Sequence, residues 1–334
     1  MKRFILGLLA AVLLAAPAFA VPIPIKVVIL TTFPGEFKAF ASRMPLTETV
    51  TASGIELPVH YSKDGVLGVV AGMRGRPRES VAALISSGQF DVSHAYWIVA
   101  GIAGVDPRVA SIGSAAWARY VVDADVTYEM DDREIPAGWP YGIYSLKTTE
   151  PNKKGSAEGS SGMVWKLDEG LLDWAYTLTK SVTLDDNPNL AKARAGYASE
   201  PMALKPPFVL IGDDLGTQRF WHGERRTQWA RDWVKLWTDG AGTFVMSECE
   251  DHGIMDVLTI YGAQGKVDPR RALILRTGSN YTREADGADP VLRDFAYGGA
   301  EAAFEAAYRV SAPVVDALVK GWDRYATTLP QVKL

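Results

Sequence analysis

Three short segments of this 334-residue chain carry residue types that could do chemistry. Gly101-Ile102-Ala103-Gly104 can bring backbone close to a ligand, since glycine has no Cβ to hold it off; the same two glycines would also serve a plain tight turn. Cys249-Glu250-Asp251 opens a helical pattern, where carboxylates sit well against the helix dipole, as caps or as ligand-binding acids. Arg276-Thr277-Gly278-Ser279-Asn280 follows an apolar run, as a site loop or as ordinary surface. A fourth group, Arg74, Arg76 and Arg78 beside Gly72 and Gly75, offers guanidinium and backbone N–H groups that would cradle phosphate, or a solvated helix start. Cys249 reads as a small buried residue, and His222 and His252 as loop or capped residues. His252 with Glu248 and Cys249 has no metal-ligand spacing, so neither metal nor cofactor is expected.

The elements that would position these segments alternate. Ile25 to Thr31, Val66 to Ala71 and Ala95 to Ala100 are β-branched or apolar runs, each closed by a glycine-bearing loop. Helical spacing fills the gaps: Phe37, Phe40 and Ala41 in 36–44, and Val81, Leu84 and Ile85 after Pro77. Strand, helix, strand, helix, strand argues for a single α/β domain. Its central, mostly parallel mixed sheet is flanked by helices, and ligands gather beyond the strands' carboxyl ends. Further strands are expected at Ala110 to Ile112, Ala118 to Val122, Phe208 to Ile211 and Ala272 to Arg276. Helices are expected at Asp168 to Thr179, Pro188 to Arg194, Glu224 to Trp237, from Glu250 onward, and at Glu301 to Tyr325 with a kink or break at Pro313. The Pro-, Gly-, Lys- and Ser-rich stretch from Tyr128 to Ser161 reads as an insertion or lid.

Composition narrows the partners. With 48% apolar residues, 22% charged and one cysteine, the chain is neither disordered nor disulfide-stapled. A net charge of −4 argues against nucleic acid. Lys2 and Arg3, the apolar run from Phe4 to Ala16, and Ala18-Phe19-Ala20 have the form of a signal peptide cleaved before Val21; an uncleaved anchor is the alternative. Residues 21–334 are then a periplasmic or secreted domain of net charge −6 once Lys2 and Arg3 are gone. The most apolar later stretch, Ala95 to Val122, is broken by Asp106, Arg108 and Arg119 and does not read as a membrane span.

In chain order, Gly72-Met73-x-Gly75, Gly101-Ile102-Ala103-Gly104, Tyr128-Glu129-Met130-Asp131, Trp139-Pro140, Phe220-Trp221-His222-Gly223, Glu250-Asp251 and Arg276-Thr277-Gly278-Ser279-Asn280 form a specific set. With it the chain resembles the purine nucleoside permease family, which looks like a branch of the nucleoside phosphorylase and nucleosidase superfamily. The resemblance implies a nucleoside phosphorylase-like fold and a purine nucleoside as ligand. Breaking the N-glycosidic bond builds positive charge on the sugar and negative charge on the base, and both need stabilising.

By that resemblance Glu250 holds the ribose hydroxyls and Asn280 contacts purine N7, as a hydrogen-bond donor that cannot act as an acid. Glu36 stands where nucleosidases activate water. Arg74, Arg76 and Arg78 are available for phosphate, but Val99 stands where some phosphorylases place an arginine and Ile102 where broader relatives of the family often have serine, which favours water as the acceptor. Trp139, Phe220, Trp221 and Tyr281 lie in or beside the matched segments and could stack on the base. Three functions remain open: a nucleosidase or phosphorylase, a nucleoside-binding uptake component serving a separate membrane transporter, and the same fold with another small ligand, its pocket remodelled by the Tyr128 to Ser161 stretch. Superfamily habit implies a homo-oligomer.

Overall fold

A computed structural model describes residues 21–155, 162–288 and 299–332; the expected signal peptide lies outside them. Its strands are β1 (Ile23–Pro24), β2 (Val27–Thr31), β3 (Glu48–Val50), β4 (Val59–Tyr61), β5 (Val66–Val70), β6 (Phe90–Asp91), β7 (Tyr96–Val105), β8 (Ala115–Asp123), β9 (Thr127–Glu129), β10 (Ile143–Ser145), β11 (Val164–Lys166), β12 (Val209–Gly216), β13 (Phe244–Glu248) and β14 (Ala272–Tyr281). The helices are α1 (Pro34–Arg43), α2 (Arg76–Ser86), α3 (Glu169–Thr179), α4 (Pro188–Ala195), α5 (Glu224–Trp237), α6 (Asp251–Ala263), α7 (Gly299–Lys320) and α8 (Trp322–Tyr325).

Ten of these strands form one mixed sheet in the order β11-β8-β12-β13-β7-β2-β5-β4-β3, with β14 bridging β7 and β8. The bridge closes β8, β12, β13, β7 and β14 into a ring. The centre is parallel, where β2 joins β5 and β7, while β3, β4 and β5 are antiparallel. Strands β2 and β5 are buried along their whole length, which is why they read as continuous apolar runs rather than alternating ones. Alternate residues feed opposite faces. Val28, Leu30, Trp97 and Val99 pack toward Val81, Leu84, Ile254 and Leu258 of α2 and α6. Val27, Ile29 and Ile98 pack toward Phe37, Phe40, Val310 and Val314 of α1 and α7.

Four expectations need correcting. Gly101 to Gly104 is no loop: β7 continues through both glycines, because β13 and β14 supply ladder partners on its two sides. Likewise β14 runs to Tyr281, five residues beyond the expected end at Arg276. Helix α7 passes through Pro313 unbroken, since Val310, Val314, Val315 and Leu318 remain anchored in the core, and the break comes at Gly321. Ala110 to Ile112 is turn rather than strand. The irregular stretch from Tyr128 carries the small β9–β10 ribbon; its residues 156–161 lie outside the described ones.

Candidate functional site

A single arginine organises the site. Arg276 stands mid-way along β14 with no exposure, preceded by Leu273, Ile274 and Leu275. A guanidinium there must be paired, and its partners come from the start of α6. Its Nε donates to Asp251 Oδ2 at 2.9 Å, and Nη2 to Asp251 Oδ1 at 2.6 Å and to Glu250 Oε2 at 3.1 Å. Nη1 donates to the Ile102 carbonyl of β7 at 3.2 Å. The other Glu250 oxygen accepts the Arg74 backbone N–H at 3.0 Å, which ties the loop after β5 to the same carboxylate.

Glu36, in the first turn of α1, reaches this cluster from the other side. Its Oε1 accepts the Ile102 N–H at 2.8 Å; its Oε2 accepts the N–H and hydroxyl of Thr32 at 2.6 and 2.8 Å. Burial raises its pKa, opposed by the nearby Arg276 charge and those three donors. Gly101 makes the approach possible. A Cβ on it would stand 2.5 Å from Arg276 Nη1 and 2.8 Å from Glu36 Oε1. Glu36, Glu250 and Gly101, remote in sequence, are therefore gathered around Arg276.

Asn280 lies opposite Gly104 in the β14–β7 ladder, three β7 residues, or about 10 Å, beyond Gly101. A Cβ on Gly104 would be 3.3 Å from Thr282 Cγ2, 3.4 Å from Asn280 Nδ2 and 3.9 Å from Ser247 Cβ, which puts Asn280 beside this position of β7. The Asn280 amide donates to the Tyr281 carbonyl and its Oδ1 accepts from Ser279 Oγ. The Phe220-Trp221-His222-Gly223 segment is fastened beside this end by the Gly223 N–H, which bonds the Thr282 carbonyl at 2.9 Å. Phe220 is 58% exposed there, while Trp221 packs on Trp229 and Phe244. Trp139 stacks edge-on against Tyr144 in the β9–β10 ribbon.

Two expected groups are placed elsewhere. Tyr281 is turned into the core: its ring lies on Tyr197 and its hydroxyl is held by the Ile112 N–H and the Ala203 carbonyl, because the period of the strand points it away from the Asn280 side chain. Nor do the three arginines converge. Arg76 pairs with Glu56 and Arg78 with Asp256, each drawn to its own carboxylate, and Arg74 is exposed. A polar cavity of about 540 Å³ remains between Arg74, Gly75, Arg76 and Gln218.

Residues that sequence reasoning passed over complete the cluster. Glu248 Oε2 accepts the Glu250 N–H and, at 2.7 Å, the Asp251 N–H. Asp214 of β12 is fully buried, and its pKa is raised well above the usual carboxylate range, by burial first and then by the charges of Asp251 and Glu248. The signal for Arg276 was present: a lone cation inside an apolar strand must find buried acids. Asp123, Asp125 and His252 also converge, their ligand atoms within 4.8 Å of one another; His252 Nε2 meets Asp125 Oδ2 at 3.3 Å as an ion pair. Cys249 is buried and its thiol pKa is pushed up by burial and the neighbouring acids, so it is held as a thiol.

Comparison with known proteins adds the following. A sequence model of the family described as purine nucleoside permease (NUP) matches residues 24–330. The chain is 26% identical over 314 residues to a probable purine nucleoside permease of Schizosaccharomyces pombe, covering 89% of this chain and 90% of that protein. It is 28% identical over 256 residues to a purine nucleoside permease of Candida albicans, covering 73% of this chain and 61% of that protein, so it spans about three-fifths of that relative. Among solved structures, it resembles a 5′-methylthioadenosine/S-adenosylhomocysteine nucleosidase from S. pneumoniae with TM-score 0.53, 16% identity and coverage of 90% and 100% of the two chains. Futalosine hydrolase of Helicobacter pylori gives TM-score 0.54, 15% identity and coverage of 87% and 97%. These structural likenesses establish the fold.

Proposed function

The chain belongs to the purine nucleoside permease family, and from its site we propose that it binds a purine nucleoside and hydrolyses the N-glycosidic bond. The observation that carries the reading is the gathering of Glu36 and Glu250 around Arg276 at the carboxyl end of β7. Glu250, held from two sides, accepts the ribose hydroxyls. Glu36 has one oxygen with a single donor, which leaves it free to orient a water and take its proton. The water oxygen bonds to C1′ as the C1′–N9 pair leaves with the base. Asn280 donates to N7 and so stabilises the departing charge, and the base takes its proton from solvent. The separation along β7 between the Gly101 and Gly104 positions is on the scale of one nucleoside. The dispersal of Arg76 and Arg78 supports water over phosphate as the acceptor. The form of residues 1–20 supports export, with the reaction outside the cytoplasm as part of this proposal; mass spectrometry of the exported chain should then find it starting at Val21.

The second reading is a binding and uptake role without cleavage, in keeping with the name of the family. It is favoured by Asn280, whose amide has no acidic proton and is already engaged by Ser279 and Tyr281. Among the described residues no helix is long and apolar enough to cross a membrane. Incubating the protein with inosine, adenosine or guanosine, with and without phosphate, separates the readings. Hydrolysis releases free base without phosphate. Intact nucleoside recovered bound, with no base formed under either condition, contradicts cleavage and leaves the uptake role.

A further inference from the structure

Strand β2 accompanies β7 only as far as the Leu30–Val99 pair. Beyond it, side chains rather than a strand take the peptide groups of Ile102: its N–H donates to Glu36 Oε1 at 2.8 Å and its carbonyl accepts from Arg276 Nη1 at 3.2 Å. Glu36 reaches this edge from the third position of α1. A glutamate there commonly turns back on the N-cap N–H, as in a capping box. Here it turns back one residue further. The N-cap is Phe33, which offers no capping side chain, and Glu36 Oε2 accepts both the N–H and the hydroxyl of Thr32, at 2.6 and 2.8 Å. Thr32 is 4% exposed and Glu36 1%, so bulk water does not compete for these bonds.

An ionised carboxyl offers about two acceptor places on each oxygen. Thr32 fills both on Oε2. Among the described residues Oε1 has only the Ile102 N–H, so one place stays open, beside Gly101, where a Cβ would stand 2.8 Å from it. Arg276 Nη1 donates to the Ile102 carbonyl and acts on Glu36 as a nearby charge. We propose that Thr32 is the positioning residue for Glu36: by occupying Oε2 twice it fixes Oε1 as the atom that orients water and takes its proton, and its hydroxyl favours the ionised form. This rests on the reading of Glu36 as the base. The water proton moves to Oε1 while the water oxygen bonds to C1′ and the C1′–N9 pair leaves with the base. Burial lifts the Glu36 pKa, and the Arg276 charge and the bonds from Thr32 and Ile102 pull it back. Removing the hydroxyl alone takes away one of those restraints and frees a second acceptor place, on the wrong oxygen.

The test compares the full chain with Thr32→Val, which keeps the N–H and loses the hydroxyl, and with Thr32→Ser, which keeps both. The Glu36 carboxyl is titrated by carbon NMR, assigned by its loss in Glu36→Gln, and base release from inosine is followed against pH. In Thr32→Val the Glu36 midpoint should rise by about one pH unit, the loss of a hydrogen bond to a charged group. The acidic limb of kcat should move up with it, and kcat at its plateau should fall about 10-fold with KM within about 2-fold. Thr32→Ser should restore both. A midpoint that Thr32→Val leaves in place, or a Thr32→Ser that behaves like Thr32→Val, overturns the proposal. Should Thr32→Val fail to fold, the unmodified chain decides: its Thr32 amide proton should titrate with the Glu36 midpoint, and a flat curve overturns the contact. Failure of the proposed activity reads differently. An inert chain with the expected midpoints refutes cleavage and keeps the Thr32 contact, whereas an active chain indifferent to Thr32→Val keeps cleavage and refutes the positioning role.

Discussion

Arg276, mid-way along β14, and Arg76, at the start of α2, both belong to segments singled out for chemistry, yet they live in opposite physical worlds. The Arg276 side chain is completely buried and shared among Glu250, Asp251 and a backbone carbonyl. The Arg76–Glu56 pair has both side chains about two-thirds exposed, at 64% and 69%. Removing water strengthens the first set of interactions and makes any unpaired member costly, whereas solvent screens the second. A cluster of arginines in a loop attracts notice in a sequence, but the isolated arginine inside an apolar strand is the one that gathers a site.

The contrast can be broken most readily at Arg276 itself. Arg276→Met should cost about 3–5 kcal/mol in urea unfolding, because it strands buried carboxylates without their cation. A loss under about 1 kcal/mol would mean the acids are already neutral without it. Gly101→Ala comes next: the added methyl intrudes on Arg276 Nη1 and Glu36 Oε1, so about 1–3 kcal/mol of stability and most nucleoside binding should go. Normal binding by that variant would show that the two side chains can separate freely.

A pH series sharpens the same comparison. His252 and Glu248 have folded pKa values above their ordinary 6.5 and 4.5, so the folded state holds extra protons, and their contribution is complete below those ordinary values. It is lost as pH rises toward about 8 for Glu248 and about 9 for His252, so Tm should fall between pH 6.5 and 9. A Tm that rises across that window contradicts the charge assignment. The smallest effect belongs to Arg76→Ala, which should change stability by no more than about 0.5 kcal/mol. A larger loss by calorimetry would erase the distinction.

Much of this architecture was legible from residue pattern. The strands at Val27–Thr31 and Val66–Val70 and helix α5, with Trp229, Trp233 and Trp237 inward, follow from burial and periodicity that local sequence records. What local sequence could not record is pairing between distant segments. Glycines are poor strand formers, so Gly101 to Gly104 read as a loop; only β13 and β14, more than 130 residues away, make it strand. In the site, Glu36, Glu250 and Asn280 came from resemblance, whereas Glu248, Asp214 and Asp125 matter through burial and neighbours that appear only once the ring of strands closes. Tyr281 was misplaced for a simpler reason: adjacency to Asn280 in a strand puts the two side chains on opposite faces.

The central claim is that Glu250 grips the ribose diol, and calorimetric affinity for inosine against 2′,3′-dideoxyinosine tests it most directly. Hydrogen bonds to a charged group contribute roughly 1.5–3 kcal/mol, so the unmodified chain should bind inosine on the order of 10- to 100-fold more tightly, with the preference abolished in Glu250→Ala. Equal affinity of the unmodified chain for both nucleosides, or a preference that survives in Glu250→Ala, would contradict the account.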